Sequence, residues 1–329
     1  MAQKIVRTSA ICWLFLLIDF SITNGQSVAI GITGSANGQP LVAANAGTNI
    51  SQTSSTFTMA ATIPSVGTSV WSLVSGLGAI TDPLSANTTV TGVTQGTTVL
   101  RWTVSLGSCS QSADVTLTVL APPMVSLKVF LQGAYINGAQ SMSTVLKTLN
   151  LVPLTYAQEI TTQSVIDNNS VVDWIIIELR DAQTPTLVLF TLSALLLSNG
   201  SIVDVNGTSP VSFTQAIAGN YFICLKHRNH LRIRTQNTVS INNGNNNFDF
   251  TNGSLAILGE TATLETSIKG MISGDVNQDG SIDANDRSDV WNNRNISSYN
   301  INDCNLNGSV DASDRSIIWN NRNKSAGFQ

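Results

Sequence analysis

The sequence predicts a mainly β protein: two tandem β-sandwich-like domains followed by a small α module made of two loop–helix repeats. Three observations lead to this prediction. Only 11% of the residues are charged, and Ser, Thr, Asn and Gly recur in short runs, as in proteins built of short strands and turns. Several stretches alternate polar and apolar residues with the period of two of a half-buried strand. The C-terminal region contains two copies of one segment rich in Asp and Asn.

Residues 1–25 have the pattern of a secretory signal peptide. Lys4 and Arg7 precede the short apolar run 10–18, and small residues lead up to an expected cleavage site after Gly25. This order is typical of a signal peptide, and the run is too short to span a bilayer. We therefore expect a secreted, extracellular protein, with association with the cell surface as an open alternative. We expect no transmembrane segment in the mature chain.

The first predicted β domain covers residues 26–121 and ends at a proline-containing linker. Short strands around the apolar residues Trp71 and Trp102 favour an immunoglobulin-like sandwich. The alternation predicts strands at 69–74, 88–91, 97–104 and 114–120.

Three stretches of this domain resemble a known type of bacterial module. Residues 71–80, followed by 91–97 and 100–102, are similar to the PKD-like or Ig-like repeats of large bacterial surface proteins, particularly those of Bacteroidota. The resemblance implies a β-sandwich in a surface protein.

The second predicted β domain covers residues 124–269. Residues 125–131 alternate, and the apolar run 171–179 predicts a strand that is buried on both faces for part of its length. The apolar run 187–197 is too short and too interrupted to span a membrane.

The repeat begins at Asp275 and returns, in register, at Asp303. Each copy has the spacing of a twelve-residue calcium loop, which supplies oxygen ligands from positions 1, 3, 5, 7, 9 and 12 and needs a glycine at position 6. Gly280 and Gly308 occupy position 6, and Ile282 and Val310 occupy position 8, where two paired loops usually meet. An Asp/Asn-rich turn without metal is the alternative, but two loops in register with oxygen at every ligand position favour calcium.

We call residues 275–286 loop one and residues 303–314 loop two. Loop one offers one carboxylate more than loop two, which predicts that loop one binds calcium more tightly. The predicted ligands of loop one are Asp275, Asn277, Asp279, the Ser281 carbonyl, Asp283 and Asp286. Those of loop two are Asp303, Asn305, Asn307, the Ser309 carbonyl, Asp311 and Asp314.

The whole repeat segment, residues 271–323, resembles a dockerin module. Position 12 is Asp rather than the Glu of helix–loop–helix sensors, and no amphipathic pattern precedes Asp275. The resemblance implies two Ca²⁺ sites and docking onto a cohesin-like protein. The helices depart from known cohesin-binding helices, which are richer in Leu and Lys. Here Trp291 and Trp319 are the main apolar anchors of polar helices.

Residues 172–180 and 226–231 resemble a module that precedes dockerin-like repeats in Bacteroidota surface proteins, and no activity follows from that resemblance. His227 and His230 could bind a transition metal, but residues three apart diverge on a strand unless a turn intervenes. Structural hydrogen bonds at a strand end are the simpler interpretation. Glu178 and Asp181 are likewise interpreted as a solvated strand end rather than a glycosidase pair.

The sequence contains no nucleophile elbow, phosphate-binding glycine loop or zinc motif, so we expect that the protein is not an enzyme. No cluster of basic residues suggests a nucleic-acid partner. Three functions remain open: docking onto a cohesin-like protein or surface scaffold, a structural or adhesive role in which calcium only rigidifies the C-terminal module, and glycan binding by an accessory protein of polysaccharide degradation.

The cysteines outside the signal peptide, Cys109, Cys224 and Cys304, do not form a recognisable disulfide framework. We expect Cys224 to be buried as a small hydrophobic residue. Cys304 occupies a loop position whose side chain normally points outward, which suggests a free or intermolecular thiol.

Overall fold

The computed structural model describes residues 42–107 and 109–328. The predicted signal peptide and the first residues of the first predicted domain lie outside this range. The chain divides into two compact units at the junction between Leu120 and Ala121. It is mainly β, as predicted. Within the described residues, no helix is long and apolar enough to cross a membrane.

The first unit contains two antiparallel-rich sheets around one apolar core. β7, β6 and β3 pair antiparallel and β1 joins β7 in parallel, in the order β1-β7-β6-β3, while β2, β5 and β4 form a second sheet. Alternate residues of β6 are buried, and the rings of Trp71 and Trp102 pack with centroids 4.9 Å apart. The period-two pattern therefore builds this core. The strands are β1 Ile50–Gln52, β2 Phe57–Thr58, β3 Thr68–Ser75, β4 Ala79–Ile80, β5 Thr89–Thr91, β6 Gly96–Leu106 and β7 Cys109–Val119.

The second unit is built on a ten-stranded sheet. The strands of this unit, which include three two-stranded sheets besides the large one, are β8 Pro123–Lys128, β9 Tyr135–Ile136, β10 Ser141–Met142, β11 Thr155–Tyr156, β12 Glu159–Ile160, β13 Val171–Asp181, β14 Val188–Leu197, β15 Ser201–Val203, β16 Val211–Ser212, β17 Gly219–His227, β18 His230–Thr235, β19 Val239–Ile241, β20 Gly244–Asp249, β21 Ile257–Leu258, β22 Thr261–Glu265 and β23 Ile268–Met271. Its helices are α1 Val145–Thr148, α2 Gln163–Asn168, α3 Ala284–Asn292 and α4 Ala312–Asn321, with a 3₁₀ turn at Gln132–Ala134.

The large sheet has the order β16-β8-β15-β14-β13-β17-β18-β21, and β19 and β20 pair with β17 and β8. β13 lies inside it and is buried along most of its length, which confirms the prediction of a strand buried on both faces. The run 187–197 forms β14, an antiparallel neighbour of β13.

The repeat segment does not have a core of its own. Val276, Ile282, Val290, Val310 and Ile318 pack in one apolar cluster that also contains residues of the β domain, namely Leu231 of β18 and Ala262 of β22. The sequence pattern predicts separate domains at residues 124–269 and 271–323, whereas the structure places both in one compact unit. The shared cluster is the physical reason for this difference.

Candidate functional site

Loop two is closed by hydrogen bonds to its first residue. One carboxylate oxygen of Asp303 accepts from the backbone N–H of Asn307 at 3.0 Å, and the other accepts from Gly308 at 2.8 Å. Gly308 has a φ of +88°, in the left-handed region that favours glycine, and a Cβ there would lie 2.7 Å from Leu149. The left-handed conformation at position 6 therefore favours glycine, whereas a Cβ would meet only the ends of the Leu149 and Leu151 side chains.

In loop one the first acid also accepts a hydrogen bond from the backbone of the loop, but it makes one long contact instead of two short ones. The Asp275 carboxylate accepts from Gly280 N–H at 3.4 Å, and Gly280 has a φ of +91°. The side chains of Asn277 and Asp279 accept from the backbone N–H groups of Asp279 and Ser281, at 3.0 Å and 2.9 Å. Loop one is thus held more by its own short-range turns than by its first carboxylate.

The acid at position 12 joins the two ends of each loop. One oxygen of Asp286 accepts from Val276 and Asn277 N–H, and the other accepts from Asp283 N–H at 2.8 Å. Asp314 makes the same three contacts in loop two, with Cys304, Asn305 and Asp311. Asp286 and Asp314 are fully buried and also complete capping boxes at the starts of α3 and α4.

Burial makes these carboxylates hard to ionise in the absence of a cation. It raises the pKa of Asp275 to about 7, and the negative charges of Asp286 and Asp279 add to the effect. Burial likewise raises the pKa of Asp303 to about 6, with Asp314 adding to it. The pKa values of Asp286 and Asp314 are also raised by burial. A divalent cation among these oxygens would supply the missing positive charge.

The acids at position 9 have a different environment. Asp283 and Asp311 are the N-caps of α3 and α4, and their carboxylates accept from the N–H groups of Asn285 and Ser313. In the described part of the chain, no three His, Cys, Asp or Glu side chains lie close enough together to hold a metal ion. A calcium loop also uses amide and carbonyl oxygens, and the oxygen-only donor set suits this hard cation. Calcium at the twelve predicted ligands remains a prediction.

The two repeats are interlocked through position 8. Ile282 does not pair with Val310; it exchanges hydrogen bonds with the segment after α4, through Asn323 N–H and Lys324 C=O, each 2.9 Å long. Val310 does the same with Asn295 and Ile296 after α3, each 2.8 Å long. Each loop is therefore paired with the tail of the other copy, and both apolar side chains enter the shared core.

The β domain supports the loops through the hairpin tip between β17 and β18. The amide of Asn229 donates to the backbone carbonyls of Ile301 at 2.9 Å and Asp303 at 2.7 Å. The backbone carbonyl of Asn229 accepts from Gly274 N–H at 2.9 Å. One turn residue thus contacts the entry of both loops, a role that the sequence analysis does not identify because the contacts are distant in sequence.

Asp173 of β13 anchors the same hairpin and is completely buried. It accepts from Arg228 at 2.8 Å and from the Tyr299 hydroxyl at 2.6 Å, and it lies 3.2 Å from Nε2 of His227. Burial opposes its ionisation, but the Arg228 charge and these hydrogen bonds hold the pKa of Asp173 below its usual value. Arg228 also donates to the carbonyl of Asn300. The linker between the two repeats is therefore fixed to the β domain by hydrogen bonds of Tyr299 and Asn300 to a buried ion pair of that domain.

The histidines do not diverge, because the two-residue turn Arg228–Asn229 lies between them. Their Nδ1 atoms are 3.0 Å apart, and burial lowers the pKa of both. These contacts agree with the interpretation of structural hydrogen bonds at a strand end.

Two further expectations are wrong. Glu178 is not a solvated strand end: it lies within β13, is buried, and pairs with Arg180 at 2.7 Å and Lys226 at 3.0 Å. Asp181 accepts from two backbone N–H groups of the following turn. Cys304 does not point outward; it is fully buried in the shared core, and burial raises its pKa well above the usual value. Cys224 is buried as expected.

No protein-family model matches the chain, and a search of curated proteins finds no match. The chain is similar to a solved type II Cohesin-X-Dockerin complex from Acetivibrio cellulolyticus, at 16% identity and a TM-score of 0.33, over 61% of this chain and 97% of that one. It is similar to the PKD domain from the KIAA 1837 protein at 23% identity and a TM-score of 0.21, over 27% and 90%. It is also similar to a SusE-like surface located polysaccharide binding protein from the Bacteroides thetaiotaomicron heparin utilisation locus, at 9% identity and a TM-score of 0.22, over 65% and 35%. TM-scores this low leave function to be argued from the chain's own residues.

Proposed function

We propose that the chain is a secreted or cell-surface, non-catalytic protein whose dockerin-like repeat segment binds two Ca²⁺ and docks it onto a protein partner. The observation that supports this most is the pair of loops whose buried first and last carboxylates form no ion pair with any residue that the structure describes. In each loop the carboxylates at positions 1 and 12 are at most 2% exposed. Buried charges without partners are costly, and bound cations offset that cost.

Loop one would hold calcium with its six predicted ligands from Asp275 to Asp286, and loop two with the equivalent residues from Asp303 to Asp314. Ca²⁺ supplies charge neutralisation and fixes the loop backbone. The chain's own residues do the rest: the glycines make the turns, the N–H groups of positions 5 and 6 orient the first acid of loop two, and the shared core holds both loops together.

Docking is supported by what the repeat segment leaves exposed. Trp291 is 49% exposed and Trp319 is 52% exposed, at equivalent positions of α3 and α4. Large side chains left in solvent at two matching positions are typical of an interaction surface.

The experiment is a calcium titration of the chain without residues 1–25, followed by calorimetry. We expect two binding steps, each removed by one of the variants Asp275→Ala and Asp303→Ala. The variant Asp181→Ala, which removes a turn acid far from the loops, serves as the control. No heat of binding up to millimolar calcium would refute the calcium sites.

Docking is tested by comparing proteins retained from the native surface fraction with and without a chelator, using Trp291→Ala/Trp319→Ala as the second arm. Calcium-dependent retention that the double variant loses would support docking. If proteins are retained equally with the chelator and by the double variant, the docking proposal is contradicted.

The structural alternative, in which calcium only rigidifies the end of the protein, is favoured by the shared core and by the buried Asp173–Arg228 pair. It predicts calcium binding with no retained partner, so the two experiments distinguish it from docking. The glycan alternative would use exposed aromatic side chains in residues 124–269, and every Phe, Trp and Tyr of that range is buried or partly buried.

A further inference from the structure

Two tryptophans and four arginines form one exposed face on α3, α4 and the residues that directly follow these helices. In each repeat an Arg, a Trp and a second Arg follow one another at i, i+4 and i+7, which places them on the same side of a helix. We call this set the Arg–Trp face, and all six side chains are exposed. Its members are Arg287, Trp291 and Arg294 of the first repeat and Arg315, Trp319 and Arg322 of the second.

The guanidinium groups lie over the indole rings, and these cation–π contacts cross between the repeats. The guanidinium carbon of Arg294, from the same repeat, lies 4.2 Å from the ring centroid of Trp291, and that of Arg315, from the other repeat, lies 4.9 Å from it. Trp319 carries Arg322 at 4.3 Å and Arg287 at 5.4 Å. The two helices therefore contribute to one continuous face, with the same arrangement repeated by the duplication.

Helix stability explains two of these four arginines but not the other two. Arg294 and Arg322 each donate to a backbone carbonyl at the end of their helix, at 2.7 Å, and a positive charge there is favourable. Arg287 and Arg315 follow the capping-box acids near the helix N-termini, where a positive charge is unfavourable. The ion pairs found among the described residues involve none of the four.

We infer that the Arg–Trp face docks onto a carboxylate-rich protein surface. This rests on the proposed docking function and specifies the chemistry of its partner. Each guanidinium group lies over a ring and remains exposed, so that its N–H groups can meet carboxylates, often in pairs. Trp and Arg are also the residues that most often dominate protein interfaces.

Other occupants fit less well. A sugar ring that packs on an indole would compete with the guanidinium groups that already lie over both rings. A second copy meeting the same face would bring eight positive charges together. An acidic protein surface therefore matches both the charge and the geometry.

The test uses the calcium-loaded chain without residues 1–25 and two probes, a short poly-glutamate peptide and polygalacturonate. Binding is followed by tryptophan emission and calorimetry at low and high salt. We expect poly-glutamate to bind, to weaken with salt, and to lose at least about tenfold in affinity in Arg287→Gln/Arg315→Gln. The variant Arg287→Lys/Arg315→Lys keeps the charge but loses the planar guanidinium group. Its affinity for poly-glutamate should lie between those of the unaltered chain and the Gln variant.

The matched control is Arg101→Gln/Lys269→Gln, which removes the same charge elsewhere and should change affinity by less than about twofold. Equal losses in control and test variants would overturn the inference, as would absence of poly-glutamate binding. Binding of polygalacturonate alone would reassign the face to an anionic glycan. Calcium titration of each variant separates these outcomes from failure of the proposed function, because the Arg variants should keep both calcium steps.

Discussion

Loop one and loop two share one sequence pattern, but the structure supports them differently. Loop one has the additional carboxylate, Asp279, where loop two has Asn307. Loop two has the better-held first acid, with two N–H contacts at 3.0 Å and 2.8 Å against one at 3.4 Å in loop one. Asn229 also binds the backbone at the start of loop two. The two loops therefore differ in the feature that is expected to favour a bound cation: an additional charge in loop one and a preorganised backbone in loop two.

The largest effect is expected at the support of loop two. Asp173→Asn leaves Arg228 buried without its counter-charge, which should lower the free energy of unfolding of the second unit by about 3–5 kcal/mol. Because Arg228 and Asn229 hold the linker before loop two, its calcium affinity should fall more than that of loop one. Urea unfolding and calcium calorimetry measure the two effects.

The control for this variant is Asp181→Asn at the far end of β13, where the side chain only caps a turn. An equal loss of affinity in both loops would show that the hairpin supports the module as a whole rather than loop two in particular.

Calcium removal should produce the next largest effect, confined to the second unit. With calcium about 100-fold above Kd, each filled site contributes about 2.7 kcal/mol to the free energy of unfolding. Chelation should therefore lower the Tm of the transition that contains the repeat segment and leave the transition of the first unit in place. Differential scanning calorimetry checks this, and a common shift of all transitions would contradict it.

Exchanging the residue at position 5 tests charge directly. Asp279→Asn should weaken loop one by about tenfold, since one ligand charge is lost. Asn307→Asp adds that charge to the better-held loop, which should then bind more tightly than the natural loop one. If Asn307→Asp weakens loop two instead, repulsion among the carboxylates of the empty loop outweighs their attraction for the cation. Calorimetric calcium titrations of the two single variants measure these affinities and distinguish the two outcomes.

The smallest effect is expected from pH. With calcium absent, the raised pKa values of Asp275 (about 7) and Asp303 (about 6) mean that the folded chain binds more protons than the unfolded chain above the usual value of 3.8. The free energy of unfolding should therefore fall as pH rises through that window. Calcium has to displace these protons, so lowering the pH from 7 to 6 should weaken loop one about fivefold and loop two about twofold. Equal slopes in calcium titrations at the two pH values would refute this difference.

The sequence predicts the elements whose pattern is local. The alternation of β6, the two-sided burial of β13 and the position-6 glycines follow from residues next to one another. The support of the loops was not predictable, because Leu231, Asn229 and Asp173 reach the repeat segment only through the fold. The same holds for Cys304: a loop position suggests exposure, and only the packing of β18 and β22 on the repeat segment buries it.

The exchange of backbone hydrogen bonds at position 8 limits how such a module could have arisen. A single loop–helix unit would leave Ile282 or Val310 without the strand segment that now comes from the other copy. The missing partner would then have to come from a second molecule, as in a domain-swapped dimer. Gene duplication converts that intermolecular exchange into an intramolecular one, which no longer depends on protein concentration.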